Sequence, residues 1–130
     1  YILQEYEPLE NPKETNHPNL PQEVQERNQA KLKELEKKYL LQEEDGDIKL
    51  GLKKIFYSDG SVYIGEVLGE DVRKGEGVYY YSNTDIYAGG WKGDKFHGKG
   101  VYIFHNGDLF EGDLENGLKK GRGNYLKENV

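Results

Sequence analysis

Three Gly-x-Gly pairs, at 75/77, 98/100 and 121/123, recur at an interval of 23 residues both times. A fixed period of this length marks a chain built from stacked supersecondary units, each too small to bury a face alone. The pairs sit in a longer signal: Lys74-Gly-Glu-Gly-Val-Tyr, His97-Gly-Lys-Gly-Val-Tyr and Lys120-Gly-Arg-Gly-Asn-Tyr. Ahead of each stands an aromatic-x-Gly-x-apolar segment: Tyr63-Ile-Gly-Glu-Val, Tyr87-Ala-Gly-Gly-Trp and Phe110-Glu-Gly-Asp-Leu. A half-repeat comes first, because Ile55-Phe-Tyr-Ser-Asp-Gly-Ser-Val-Tyr aligns with Tyr102-Ile-Phe-His-Asn-Gly-Asp-Leu-Phe. The array is thus about three repeats with fragments at each end, near the minimum for a stable stack.

The chemistry of each unit predicts a β-hairpin. Tyr79 and Tyr81, like Tyr102 and Phe104, alternate as in a half-buried strand, and Asp59-Gly60 and Asn106-Gly107 supply the positive φ of tight turns. Asn83-Thr84 stands in the middle repeat, where a different or strained turn is expected, since Thr resists positive φ. Alternation places Tyr63, Gly65 and Val67 on one face, with Tyr87, Gly89 and Trp91, and then Phe110, Gly112 and Leu114, repeating the arrangement. A glycine between two large side chains leaves bare backbone across which a ring can lie, so a ladder of stacked rings is expected.

The pattern Tyr87-x-Gly89-x-Trp91-x-Gly93, then Gly98-x-Gly100-x-Tyr102 and Asn106-Gly107, resembles the MORN repeat (membrane occupation and recognition nexus) over roughly residues 51 to 126. Val67 and Leu114 depart from the family's preferred Trp, Thr84 replaces a glycine, and the spacer after Gly69, Gly93 and Gly117 varies; the middle repeat is the best match. The resemblance implies a mainly β fold: a single-layer antiparallel sheet of tandem hairpins. It also implies a scaffold that dimerises or joins larger assemblies in cilia, flagella, protist cytoskeletons and membrane-contact structures, or an accessory module beside an enzyme. Phosphoinositide binding is proposed for such arrays.

Composition changes sharply before the array. Sixteen of seventeen glycines lie at or after Gly51, and all four prolines lie within the first 21 residues, so a boundary is expected between Glu43 and Gly51. Residues 1–20 read as an extended or disordered proline-containing arm. Residues 21–45 read as an amphipathic helix, opened by Pro21 and stopped by Asp45-Gly46. Its apolar stripe of Val24, Leu32, Leu35 and Tyr39, with Leu40 or Leu41, is interrupted by Asn28. Two roles are open for it: a cap that docks on the end of the array or on its aromatic face, or a short partner-binding or coiled-coil helix. Residues 51–130 form the array.

Charge follows the same division, with 7 Lys+Arg against 12 Asp+Glu in residues 1–50 and 11 against 12 in residues 51–130. Neither half offers the basic stripe that phosphate contacts need, so no nucleic-acid partner is expected. With no cysteine, thiolate zinc sites and disulfides are excluded, which fits a reducing, cytoplasmic setting. The chain opens on Tyr rather than Met and is expected to be a fragment.

The catalytic signals fail on context. His97 and His105 stand where other copies carry Lys or Ser, and His17 lies in the polar arm. The Gly-x-Gly pairs lack a following Lys-Ser/Thr and helix. Asp108, Glu111 and Asp113 are expected around turns and on water-facing positions, with no apolar pocket to raise a pKa. No enzyme activity, cofactor or metal is expected. The candidate site is the aromatic face, Tyr63, Tyr79, Tyr81, Tyr87, Trp91, Tyr102, Phe104 and Phe110, taking a protein or peptide, with self-association as a homodimer through the open end near Tyr125. The alternative is a membrane-surface adaptor that binds anionic phospholipid through Lys92, Lys95, Lys99, Lys119 and Lys120.

Overall fold

A computed structural model describes residues 7–8 and 20–127. The expected arm, residues 1–20, lies almost wholly outside the described residues. In chain order the elements are β1 (Glu7–Pro8), α1 (Gln22–Tyr39), β2 (Lys53–Phe56), β3 (Val62–Leu68), β4 (Val72–Tyr80), β5 (Ile86–Lys92), β6 (Lys95–Ile103), β7 (Leu109–Glu115) and β8 (Leu118–Leu126). Strands β2 to β8 run as one antiparallel meander, and β1 adds to the outer edge of β8, with Glu7 opposite Lys119.

Register aligns the repeats into continuous rows. One row crosses the sheet as Ile55, Tyr63, Tyr79, Tyr87, Tyr102, Phe110 and Tyr125, each the partner of the next. Two residues along, a second row runs Lys53, Gly65, Gly77, Gly89, Gly100, Gly112 and Gly123. The rings of the first row lie along the backbone of the second. A Cβ on Gly77 would sit 2.6 Å from Cε1 of Tyr63, and one on Gly100 would sit 2.6 Å from Cε1 of Tyr87. These rings need glycine beneath them, and the face is thereby covered by its own side chains.

The opposite face carries the row Lys54, Ile64, Val78, Ala88, Val101, Glu111 and Asn124, apolar in the middle and polar at both ends. Helix α1 covers the apolar middle: Leu35, Tyr39 and Leu40 are buried against Val78, Ala88, Val101, Ile103 and Leu109. Both expected docking positions for the helix are therefore corrected. It neither caps an end nor touches the aromatic face. The reason is that the strands are apolar in both phases, and only the aliphatic phase has no rings to cover it. Asn28, which breaks the helix stripe, donates through Nδ2 to the Gly107 carbonyl at 3.0 Å, and Arg27 Nη2 donates to the same oxygen at 2.5 Å. The Tyr80 hydroxyl donates to Glu36 at 2.5 Å. These polar contacts fix where the helix lies along the sheet.

Three turns share one hydrogen-bond pattern. Tyr57, Tyr81 and Phe104 each donate an amide to the carbonyl four residues on, and Gly60, Thr84 and Gly107 donate back to the carbonyls of those first residues. Thr84 holds the same left-handed conformation, φ 74°, as the glycines at its position, φ 93° and 99°. The middle turn is thus of the same type as its neighbours and is strained at Thr84.

Candidate functional site

Each repeat contributes a second apolar position to the aromatic face, and its cross-strand partner varies. Val67 pairs with Arg73, Trp91 with Phe96, and Leu114 with Lys119. Arg73, Phe96 and Lys119 stand four residues before Gly77, Gly100 and Gly123, so they share one offset from the glycine row. All three lie over rings. The Arg73 guanidinium is 4.7 Å from the Trp91 centroid and 4.9 Å from that of Tyr79. Phe96 stacks on Tyr87 at 4.1 Å and meets Trp91 edge-on at 5.1 Å. The Lys119 ammonium is 5.6 Å from both Phe110 and Tyr125.

Most of the rings expected to touch a ligand are packing groups instead. Tyr63, Tyr79, Tyr87, Trp91, Tyr102, Phe104 and Phe110 are all buried, and only Tyr81 among the candidates is half-buried. The tyrosine hydroxyls are tied inward: Tyr63 donates to the Glu66 carbonyl at 2.7 Å and Tyr87 to the Gly90 carbonyl at 2.9 Å. Trp91 Nε1 donates to the Gly77 carbonyl at 3.2 Å. Burial pushes the hydroxyls of Tyr63 and Tyr87 well above the ordinary tyrosine range. The rings that reach the surface of this face are Tyr57, Tyr81, Phe96 and Tyr125. Of these, sequence reading selected only Tyr81. For Phe96 the missed signal was the variable position two residues before the Gly-x-Gly pair, while Tyr57 and Tyr125 are the end copies of Tyr81 and Tyr102.

A shallow cleft of about 330 Å³ opens here, lined by Arg73, Tyr81, Trp91, Asp94, Lys95 and Phe96. Arg73 Nε donates to Asp94 at 2.9 Å, and the Arg73 amide donates to the same carboxylate oxygen at 2.8 Å. Burial alone would lift the Asp94 carboxyl, but these bonds outweigh it and hold the group below its ordinary range. The cleft offers flat rings and a guanidinium held by Asp94.

The other candidates separate. Lys99 pairs with Asp113 at 3.0 Å, and Lys120 with Glu115 at 3.4 Å. Lys119 lies over aromatic-face rings, whereas Lys99 lines a cleft on the helix side of the sheet. Lys92 and Lys95 pair across the β5–β6 turn. The five lysines do not share one plane. Asp108, expected to face water, is buried and accepts from the Tyr125 hydroxyl at 2.8 Å, which corrects that expectation. Among the described residues, no helix is long and apolar enough to cross a membrane.

The MORN repeat family model matches three consecutive segments, residues 63–86, 87–109 and 110–129, whose bounds coincide with the hairpin periods seen in the sheet. The chain belongs to the MORN-repeat family. MORN repeats are non-enzymatic modules that mediate protein or membrane interaction, and the MORN matches here span the aromatic row from Tyr63 to Tyr125. No curated protein matches the chain.

Proposed function

We propose that this MORN array is a non-enzymatic interaction module of a cytoskeletal, ciliary or flagellar assembly, holding a protein or peptide segment on its aromatic face. The observation that carries this reading is the cleft at Arg73, Tyr81 and Phe96 on the face that α1 leaves uncovered. Half-buried rings seated on a floor of buried rings give large contact area at small entropy cost, which is what binding hot spots require. A cytoplasmic location beside the cytoskeleton or the inner membrane face accompanies it. The membrane-adaptor reading has less support, since its lysines face different directions and Lys99 and Lys120 each meet a carboxylate.

Selection of a displayed random peptide library on the intact chain tests the proposal. Wild type enriches a family of related peptides, and Tyr81→Ala with Phe96→Ala abolishes their capture while the melting transition stays cooperative. A library that yields no enriched family, or a family retained by the double variant, defeats it. Cosedimentation with anionic vesicles that is lost on adding salt would favour the membrane adaptor instead.

A further inference from the structure

Strand β2 is one edge of the sheet, and among the described residues no strand pairs with its outer side. Tyr57 donates its amide to the Ser61 carbonyl at 2.9 Å, which makes these two a hydrogen-bonded pair. Pairing alternates from there along the antiparallel ladder, so Ile55 and Lys53 bond inward to Tyr63 and Gly65. The amides and carbonyls of Lys54 and Phe56 therefore point out of the sheet. This edge has neither the proline nor the bulge that often blocks further pairing. Apolar surface collects beside it, with Phe56 71 %, Leu50 91 % and Ile48 49 % exposed. We propose that β2 receives an extended partner segment as an added antiparallel strand. From its N-terminus the segment reads apolar, aromatic, acidic, acidic, opposite Phe56, Ile55, Lys54 and Lys53.

Each position follows from the register. Ile55 begins the row that continues through Tyr63, Tyr79 and Tyr87, and it is half-buried where those rings are buried. A residue opposite Ile55 makes a non-hydrogen-bonded pair, the kind in which side chains come closest, so a ring there extends the row. Phe56 and Lys54 share the helix side of the sheet, with the Lys54 ammonium 5.5 Å from the Phe56 centroid, and an apolar partner covers the exposed ring. The acids follow a rule seen elsewhere in this sheet, where Lys99 stands opposite Asp113 and Lys119 opposite Glu7. Lys54 has only Ile64 on its inner side, and Lys53, which pairs with Asp71, has Gly65. Charge also selects against a second copy of this chain, because a seam of two β2 strands brings two lysines from each and no acid from either. The edge is a separate site from the cleft described above, whose lining comes from β4, β5, β6 and the turns around them.

The test titrates the whole, isotope-labelled chain with a blocked synthetic peptide, Thr-Val-Tyr-Glu-Glu-Thr, and follows amide signals by nuclear magnetic resonance. The comparisons are the reversed sequence and an analogue with lysine for both glutamates. The probe is expected to bind at least about tenfold more tightly than either. Hydrogen exchange at the Lys54 and Phe56 amides should slow in the complex, while the Ile55 amide, already bonded to β3, should not change. Lys54→Glu should turn the preference toward the lysine analogue with an unchanged melting temperature. Phe56→Pro removes an outward amide and should abolish binding, whereas Phe56→Ala keeps that amide and should only weaken it. A probe that does not bind, a reversed peptide that binds equally, or exchange at Lys54 and Phe56 that stays the same overturns the proposal. So does sedimentation showing a dimer of the free chain that Phe56→Pro dissociates, which would put a second copy on this edge. Tyr81→Ala with Phe96→Ala should leave the probe bound; its loss there would place the peptide in the cleft and overturn the edge assignment, leaving the aromatic-face reading intact.

Discussion

The hydroxyl of Tyr102 donates to the carboxylate of Asp85 at 2.8 Å, seventeen residues back along the chain and at a site with no solvent exposure. The same carboxylate accepts the His105 amide at 2.6 Å and lies 2.8 Å from His105 Nδ1. One repeat later Tyr125 and Asp108 make the equivalent bond at 2.8 Å. One repeat earlier the position is Ser61, which accepts the Ser82 amide at 2.9 Å. Each of these residues opens a strand and ties the next turn to it. Asp85→Ala should cost about 2–4 kcal/mol, because it leaves buried donors unpaired. Asp85→Ser, copying the first repeat, should cost less. Urea denaturation of both variants checks the order, and an equal loss would refute it.

Thr84 holds a left-handed backbone, φ 74°, in a turn whose other copies have glycine. Thr84→Gly should raise stability by about 1 kcal/mol, the conformational cost of that region less the added freedom of glycine when unfolded. A drop in the thermal midpoint would show that the Thr84 side chain contributes something that the hydrogen bonds do not reveal.

Gly100 lies under the ring of Tyr87, and the three atoms nearest to an added Cβ all belong to that side chain. Gly100→Ala should cost about 1–3 kcal/mol by forcing the ring off the strand, and it should not alter the neighbouring turn. Near-ultraviolet circular dichroism should lose ring signal in step with the loss of stability; a loss of stability with the ring signal intact would point to a backbone cause instead.

Leu35→Ala should cost about 2–4 kcal/mol, since the leucine is buried between α1 and the sheet. Deleting residues 1–45 removes the whole cover from Val78, Ala88 and Val101, and an aggregating or non-cooperative product is expected. A soluble truncation with an unchanged melting temperature would mean that the aliphatic face does not need the helix.

Burial raises the hydroxyls of Tyr63, Tyr81, Tyr87 and Tyr102 above the ordinary value of 10.0, and the Tyr80 hydroxyl also through its bond to Glu36. The folded state therefore favours the protonated form more than the unfolded state does. Their contribution to stability is fully present below about pH 10 and falls as pH rises from there toward the folded values. Tyrosinate absorbance of these buried groups should appear together with loss of β-sheet circular dichroism. A gradual rise from about pH 10 with the sheet intact would contradict it.

The hairpins, their turns and the glycine-supported rings were legible because each rule recurred in three copies, and an error in one copy would have broken the period. What remained hidden lies between repeats. Ile64, Val78, Ala88 and Val101 form an apolar row only once strand register is known, and that row decides where α1 sits. Asn28 read as a flaw in an apolar stripe because its partner, the Gly107 carbonyl, is distant in sequence. Ring exposure was misjudged for the same reason. An aromatic that alternates with glycine in mid-array folds down onto the glycine row, and the rings that reach solvent are Tyr57 and Tyr125 in the end copies, Tyr81 at a turn, and Phe96, which lies on Tyr87 and Trp91.

The row that is apolar under α1 in the middle of the sheet ends in Glu111, which meets Lys31 of the helix at 3.2 Å, and the exposed Asn124. Ile64, Ala88 and Glu111 hold the same place in successive hairpins. A carboxylate at this place turns the helix contact of its unit from apolar packing into an ion pair, while Leu109 of the same hairpin still packs under α1. Length and thickness become partly separate traits in such an array: the second layer ends where the row beneath it turns polar, while the ring row runs on to Tyr125.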